Sequence, residues 1–307
     1  MASATSWIRA ARLRTLPLAL SGIFMGCGLA LFSQAFQLSV SVLAVITATL
    51  IQIFSNFAND YGDSLRHTDN KHRLGPTRTV QSGEIGKEEI EVGMAVVGGL
   101  CLFFGVWLVH DAVWHISKAA FAGFILVGVL SLVAAYFYTA GKRAYGYVGL
   151  GDLFVLVFFG LVPVAGVFFL NTGYLAWEVF LPALSIGLFS TGVLNLNNMR
   201  DADNDRNSGK LTLPVRMGPS PSRVYHSLLI GCGWLAALAF TASHLHSHWQ
   251  WLFLATLPLF ARDLFRVIRI RRARELDPFL KRLALSTLAF TLLFCVGVLM
   301  ARSSGGI

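Results

Sequence analysis

Charge is the first thing this chain lacks. Only 13% of its 307 residues are Asp, Glu, Lys or Arg, while 55% are hydrophobic. A soluble domain carries about 25% charged residues, so a water-soluble fold is excluded. Cysteine is nearly as scarce. Cys27, Cys101, Cys232 and Cys295 each sit in a different apolar run, a spacing that suits neither a disulfide framework nor a metal knuckle. No stretch reads as a soluble module, and no cleavable leader precedes the first apolar run. What is abundant is long apolar sequence. Nine membrane-length runs are legible, at 15–33, 38–58, 92–109, 119–139, 148–170, 175–196, 224–243, 249–268 and 283–301. In lipid each must be helical, because no water is there to satisfy backbone groups. The expectation is an all-α polytopic membrane protein, one domain over 1–307.

Of the 25 Lys and Arg, all but Lys118 and Arg302 fall on one side of that arrangement. The asymmetry predicts the N-terminus in the cytoplasm and the C-terminus outside. The eighth run is interrupted by Arg262 and Asp263. It is kept as a span because dropping it would place the Arg-rich stretch 262–282 outside. The net charge of +9 then serves orientation and attraction to the lipid bilayer, with no nucleic acid implied. "HLHSH" (244–248) falls on the outer side and reads as a polar loop.

Two polar clusters stand out on the cationic side. In 55–86, Asn56, Asn59, Asp60, Asp63 and Asp69 precede Lys71, Arg73 and Arg78. In 195–218, Asn198, Asp201 and Asp205 precede Lys210 and Arg216. The shared order suggests two pseudo-repeated halves, about 15–139 and 148–301, with the clusters face to face. Asn56/Asp60, Asn59/Asp63 and Asp201/Asp205 each have the i, i+4 spacing of one helix face. Carboxylates crowded in this way repel unless a cation lies between them. Mg²⁺ takes oxygen ligands from a few carboxylates and completes its shell with water and phosphate oxygens. The downstream Lys and Arg suit the remaining charge of a diphosphate. Asp60, Asp63, Asp201 and Asp205 are therefore the expected catalytic carboxylates. Asn56, Asn59 and Asn198 join them as metal ligands, and Lys71, Arg73, Arg78, Lys210 and Arg216 hold diphosphate. Asp111 and Asp277 lie apart from both clusters.

These residues resemble the UbiA-type intramembrane prenyltransferases, and within them the 1,4-dihydroxy-2-naphthoate polyprenyltransferases of menaquinone synthesis. The resemblance rests on "NFANDYGD" (56–63), "GPTR" (75–78), residues 197–218 and "YTAGKRAYGYVGLGDLFVLVFFG" (138–160). It implies a nine-helix fold, Mg²⁺, a polyprenyl diphosphate donor and an aromatic acid that loses its carboxyl group. One position departs from the wider pattern. His67 stands where a third aspartate is common, with Asp69 nearest, so Asn59/Asp63 and Asn56/Asp60 both remain candidate ligand pairs. Tyr138, Lys142, Tyr145 and Asp152 are candidates for the acceptor. The tyrosines serve equally as an interfacial belt, and Asp152 as a partner of Lys142 or Arg143. Arg14 is either a charge anchor or part of the same mouth. A transporter for an anionic metabolite, or another acceptor such as 4-hydroxybenzoate, is the alternative function; oligomeric state is not legible.

Overall fold

A computed structural model describes residues 2–65, 74–141 and 144–303. Every regular element among them is helical. An N-terminal helix α1 (Ala4–Ala11) leads to α2 (Leu16–Phe32), α3 (Leu38–Leu65), α4 (Lys87–Val113) and α5 (Lys118–Phe137). Then come α6 (Gly151–Thr172), α7 (Phe180–Asn207), the short α8 (Leu213–Met217), α9 (Pro219–Ser243), α10 (Leu257–Val267) and α11 (Asp277–Ser303).

Eight helical segments among the described residues are long and apolar enough to cross a membrane, the first running through α1 and α2 from Ala4 to Phe32. The segment expected as the remaining span, 249–268, is built differently. A 3₁₀ helix, His248–Thr256, runs into α10, whose first turn holds Pro258. Proline starts a helix well but cannot continue one. Nine residues at about 2.0 Å rise and eleven at about 1.5 Å give about 34 Å, comparable with a hydrocarbon core of about 30 Å. The segment thus keeps the reach of a span while Arg262 and Asp263 reduce its apolarity.

The other helices outlast their apolar runs at one end of the bundle. Helix α3 continues to Leu65 and α7 to Asn207, while α4, α9 and α11 begin early, at Lys87, Pro219 and Asp277. Asn56, Asn59, Asp60 and Asp63 of the first cluster and Asn198, Asp201 and Asp205 of the second therefore lie on helix rather than on loop, so their i, i+4 pairs do share faces.

Packing places the helices around a hollow. Helix α4 runs along α3, α9 along α7, and α11 along α2. The largest core joins α2, α6, α7, α9 and α11 through Met25, Val164, Ile186, Phe189, Trp234, Phe253 and Phe290. Gly160 lets α6 approach α7 closely: a β-carbon there would lie 2.5 Å from the Gly187 Cα. Beside this contact, Leu156–Leu161 form a π-helical stretch ahead of Pro163. Proline has no N–H for the carbonyl four residues earlier, and an inserted wide turn relieves the clash. Phe158 and Phe159 of that stretch face the hollow. Helix α5 buries none of its residues; one face meets the hollow and Leu126, Leu130, Val133 and Phe137 point outward, as lipid contact allows.

Candidate active site

The hollow is a cavity of about 1150 Å³. Its α3 wall is a single helix face, Ala44, Thr47, Ala48, Ile51, Gln52, Ser55, Asn56, Asn59, Asp60 and Asp63. Ala44 and Asp63 lie about 28 Å apart along the axis at about 1.5 Å per residue. The face is apolar up to Ile51 and polar beyond. Thus one cavity joins an oily chamber to a polar head.

In the head, one guanidinium bridges the first pair of carboxylates. Arg78 Nη1 lies 2.8 Å from Asp60 Oδ1 and its Nη2 lies 3.0 Å from Asp63 Oδ2. Arg12 pairs with Asp60 as well, and Thr79 Oγ1 donates to Asp60 Oδ2 at 3.0 Å. Arg12 holds a left-handed backbone, φ 47°, which costs a non-glycine residue about 1–2 kcal/mol; its ion pair offsets that cost. Burial pushes Arg78 down to about 10, so it remains a cation near neutral pH. Tyr147 OH donates to Asp63 Oδ1 at 3.0 Å. Asn59 Oδ1 accepts from Thr139 Oγ1 at 3.3 Å. Asn56 instead donates to Ala11 O and Thr15 Oγ1, at 2.9 and 3.0 Å, and so ties α3 to the N-terminal segment. Gly62 seats α3 against the end of α5, since a β-carbon there would be 2.7 Å from Ala140 N.

The second cluster lies mostly behind the wall. Arg200 holds Asp201 with both arms of its fork, Nε at 2.9 Å and Nη2 at 2.6 Å. Its Nη1 pairs with Asp277 and its Nη2 also donates to Asn197 Oδ1 at 2.9 Å. Asp277 and Lys281, from the start of α11, line the cavity with Asn197 and Lys210. Asp277 thus belongs to the site, contrary to its separation in sequence. Lys210 Nζ is 3.8 Å from Asp205. Asn198, Asp201 and Asp205 are buried but are not part of the cavity wall. Asn198 Oδ1 has no hydrogen-bond partner among the described residues. The two clusters meet through Tyr147: its hydroxyl bonds Asp63, its carbonyl accepts from Leu211 N at 2.9 Å, and Lys210 Nζ lies 5.6 Å from its ring centre.

Of the remaining candidates, Tyr138 and Tyr145 line the cavity and begin an aromatic ladder. Ring centres are 5.3 Å apart from Tyr138 to Tyr145, 3.9 Å from Tyr145 to Phe154 and 5.9 Å from Phe154 to Phe158. Burial, with Asp152, Asp63 and Asp205 nearby, raises the Tyr138 phenol, so it stays a hydrogen-bond donor. Burial also raises Tyr145, whose hydroxyl donates internally to Ala134 O at 2.7 Å. Asp152 lies behind the wall and accepts from Tyr225 OH at 3.2 Å. Arg216 is exposed and bonds the carbonyls of Leu211 and Val148, at 3.1 and 2.8 Å, so it braces the loop rather than facing the cavity. Arg14 lines the mouth. His67, Asp69, Lys71, Arg73, Lys142 and Arg143 lie outside the described residues.

Sequence reasoning missed Arg12, Thr79, Tyr147, Arg200, Asp277 and Lys281. Arg200 stands directly before Asp201 and was legible as its counter-charge. Tyr147 and Asp277 come from distant elements and carry no local signal.

Among the described residues no three Asp, Glu, His or Cys side chains form a ready-made metal cage. The donors at the head are nonetheless carboxylate and amide oxygens, and the orphaned Asn198 Oδ1 lies behind the wall. Mg²⁺ is usually held by one or two carboxylates together with substrate phosphates rather than by an all-protein cage, so this donor set fits it.

Comparison with known proteins agrees with this architecture. The model of the UbiA prenyltransferase family matches residues 19–288. The 1,4-dihydroxy-2-naphthoate octaprenyltransferase of Escherichia coli (strain K12) is 42% identical over 298 residues, 97% of this chain and 96% of that protein. Its Haemophilus influenzae counterpart is 40% identical, over 96% of each. Among solved structures, a UbiA homolog from Aeropyrum pernix K1 superposes with a TM-score of 0.64 at 17% identity, covering 95% of this chain and 99% of that one. A UbiA homolog from Archaeoglobus fulgidus bound to GPP and Mg²⁺ gives 0.62 at 15% identity, covering 94% and 99%. At such identities the structural likeness speaks for the fold alone.

Proposed function

The chain belongs to the UbiA prenyltransferase family, and from that premise we propose that it moves a polyprenyl group from polyprenyl diphosphate onto 1,4-dihydroxy-2-naphthoate. Diphosphate and CO₂ leave, and a demethylmenaquinol results. The observation that carries the reading is the shape of the cavity: a charged head opening into an apolar chamber, the two together about as long as the hydrocarbon core is thick.

The diphosphate belongs in the head, where Arg12, Arg78, Lys210 and Lys281 bring positive charge to the wall. The proposed Mg²⁺ ligands are Asn59, Asp60 and Asp63 on the wall and Asn198, Asp201 and Asp205 buried behind it; Asn56, tied to the N-terminal segment, fits that role less well. When bound, Mg²⁺ supplies Lewis-acid stabilisation of the departing diphosphate. The fixed cations act on the same developing charge. As the allylic C–O bond breaks, that carbon becomes cation-like. The faces of Tyr138, Tyr145, Phe154 and Phe158 offer it π density, and the apolar walls keep water away. The ring carbon bearing the carboxylate attacks and a C–C bond forms. The ring–carboxylate bond then breaks, its electron pair restores aromaticity, and CO₂ departs. No general base is required, which frees the carboxylates for the metal and the cations. Tyr138, a phenol on the cavity wall, supports hydrogen-bond donation to the acceptor's oxygens, and Lys142 is proposed for the same role.

The charge asymmetry supports a head at the cytoplasmic face, the bacterial relatives support an inner membrane, and the halves 15–139 and 148–301 are proposed to contribute one cluster each. Purified protein in detergent, given Mg²⁺, one long prenyl diphosphate and a panel of aromatic acids, tests the reading. Prenylated naphthoquinol is the expected product by mass. Turnover with 4-hydroxybenzoate in preference to the naphthoate would replace the acceptor, and absence of turnover with any acid would refute the enzyme.

A further inference from the structure

Glycines of the membrane helices divide by what a β-carbon at each would meet. At Gly22, Gly26, Gly160 and Gly187 it would lie 2.8, 2.7, 2.5 and 2.8 Å from a neighbouring helix; these are contact points between helices. Three others behave differently. At Gly128 a β-carbon meets nothing within 4 Å, at Gly166 only the Phe124 ring at 3.6 Å, and at Gly105 only the Thr47 methyl at 3.7 Å. All three line the cavity, one each on α4, α5 and α6. Each sits in the cavity-facing register of its helix. On α5 that register is Phe124, Gly128, Ser131, Ala135 and Tyr138, and on α6 it is Val155, Phe159, Val162, Gly166 and Leu170. Side chains at these positions would enter the chamber. Gly99 and Gly123 are as unhindered but form no part of its wall.

Depth follows from helix rise. At about 1.5 Å per residue, Gly128 is about 15 Å from Tyr138, Phe124 beside Gly166 is about 21 Å from Tyr138, and Thr47 beside Gly105 is about 24 Å from Asp63. With C–C bonds of about 1.5 Å, one extended isoprene unit advances about 5 Å. The three glycines therefore face about the third to fifth unit of a chain whose diphosphate sits in the head.

We infer that Gly105, Gly128 and Gly166 set the bore of the apolar chamber and thereby the length of prenyl chain the protein accepts. This rests on the prenyl-transfer reading above. Three helices each omit a side chain at the level where a long tail has to pass, and a β-carbon there would meet at most one side chain at ordinary contact distance. A donor too short to reach these glycines should be indifferent to them.

The test is a chain-length profile. Gly128→Leu and Gly166→Leu are compared with the natural protein and with Gly99→Leu, an outward-facing control. Each is purified and given the naphthoate with prenyl diphosphates graded from geranyl to octaprenyl. The ratio of kcat/KM for octaprenyl to that for geranyl should fall at least about tenfold in the two cavity variants, as for overpacking of a filled apolar site. It should be unchanged in Gly99→Leu. Gly128→Ala, a substitution helices favour, should shift the ratio the same way by less, and it carries the test if a leucine variant does not fold. An unchanged ratio, or an equal loss with short and long donors, overturns the inference. Failure of the natural protein with every donor would instead defeat the prenyl-transfer reading itself.

Discussion

Tyr147→Phe removes one oxygen from the point where the two halves of the site meet. The hydroxyl donates to Asp63 Oδ1 at 3.0 Å. The ring, its position near Lys210, and the backbone bond from Leu211 to the Tyr147 carbonyl do not depend on that oxygen. Both partners are buried, so Asp63 regains no water in exchange. A hydrogen bond to a charged group contributes about 1.5–3 kcal/mol. Asp63 keeps the Arg78 Nη2 contact at 3.0 Å, which points to the lower half of that range. At 1.4 kcal/mol per factor of ten, the loss is about 10- to 40-fold in kcat/KM for the donor. If Asp63 is a ligand, the Mg²⁺ concentration for half-maximal rate should rise as well, while KM for the naphthoate stays nearly constant. Steady-state kinetics varying donor, acceptor and Mg²⁺ separately, on protein of unchanged thermal stability, reads all three. A donor kcat/KM and a Mg²⁺ response both within twofold of the natural protein would refute the placement of Asp63 at the reacting end.

Asp277→Asn should slow turnover by about tenfold or more, because it weakens the grip on the Arg200 guanidinium that fixes Asp201; Asp111→Asn, outside the site, should leave the rate unchanged, and kcat of the two side by side decides it. Gly62→Ala should lower thermal stability by about 1–3 kcal/mol, since its methyl would meet the Thr139–Ala140 backbone at 2.7 Å; a melting curve in detergent reads this. Arg216→Gln should lower stability while leaving the donor KM within about twofold, because its bonds go to the Leu211 and Val148 carbonyls; a large rise in donor KM with stability intact would return Arg216 to the diphosphate.

The membrane class and the two motif-bearing helices were legible because apolar length and i, i+4 spacing are local properties. Asn56 to Asp63 continue the period of the apolar run before them, and α3 carries them unbroken to Leu65. The interrupted span 249–268 was harder. Its reach depends on a 3₁₀ stretch, and hydropathy does not encode rise per residue. The site was half legible. Carboxylates announce themselves by crowding, but what neutralises them is set by packing. Arg12 reaches Asp60 from a left-handed turn, and Asp277 reaches Arg200 across a gap of more than seventy residues. Arg216 follows the carboxylates in sequence yet turns to loop carbonyls. Order along the chain does not fix which way a long side chain points. The chamber itself was invisible, because a cavity is a property of several helices at once.

Decarboxylative prenyl transfer at the charged head of this cavity is open to direct test. Its most direct measurement is stoichiometry in the purified protein, with naphthoate labelled in its carboxyl carbon, octaprenyl diphosphate and Mg²⁺. One labelled CO₂ and one diphosphate should be released per prenylated naphthoquinol, with no product in the presence of chelator. Prenylated product that retains the labelled carboxyl, or full turnover in chelator, would contradict it.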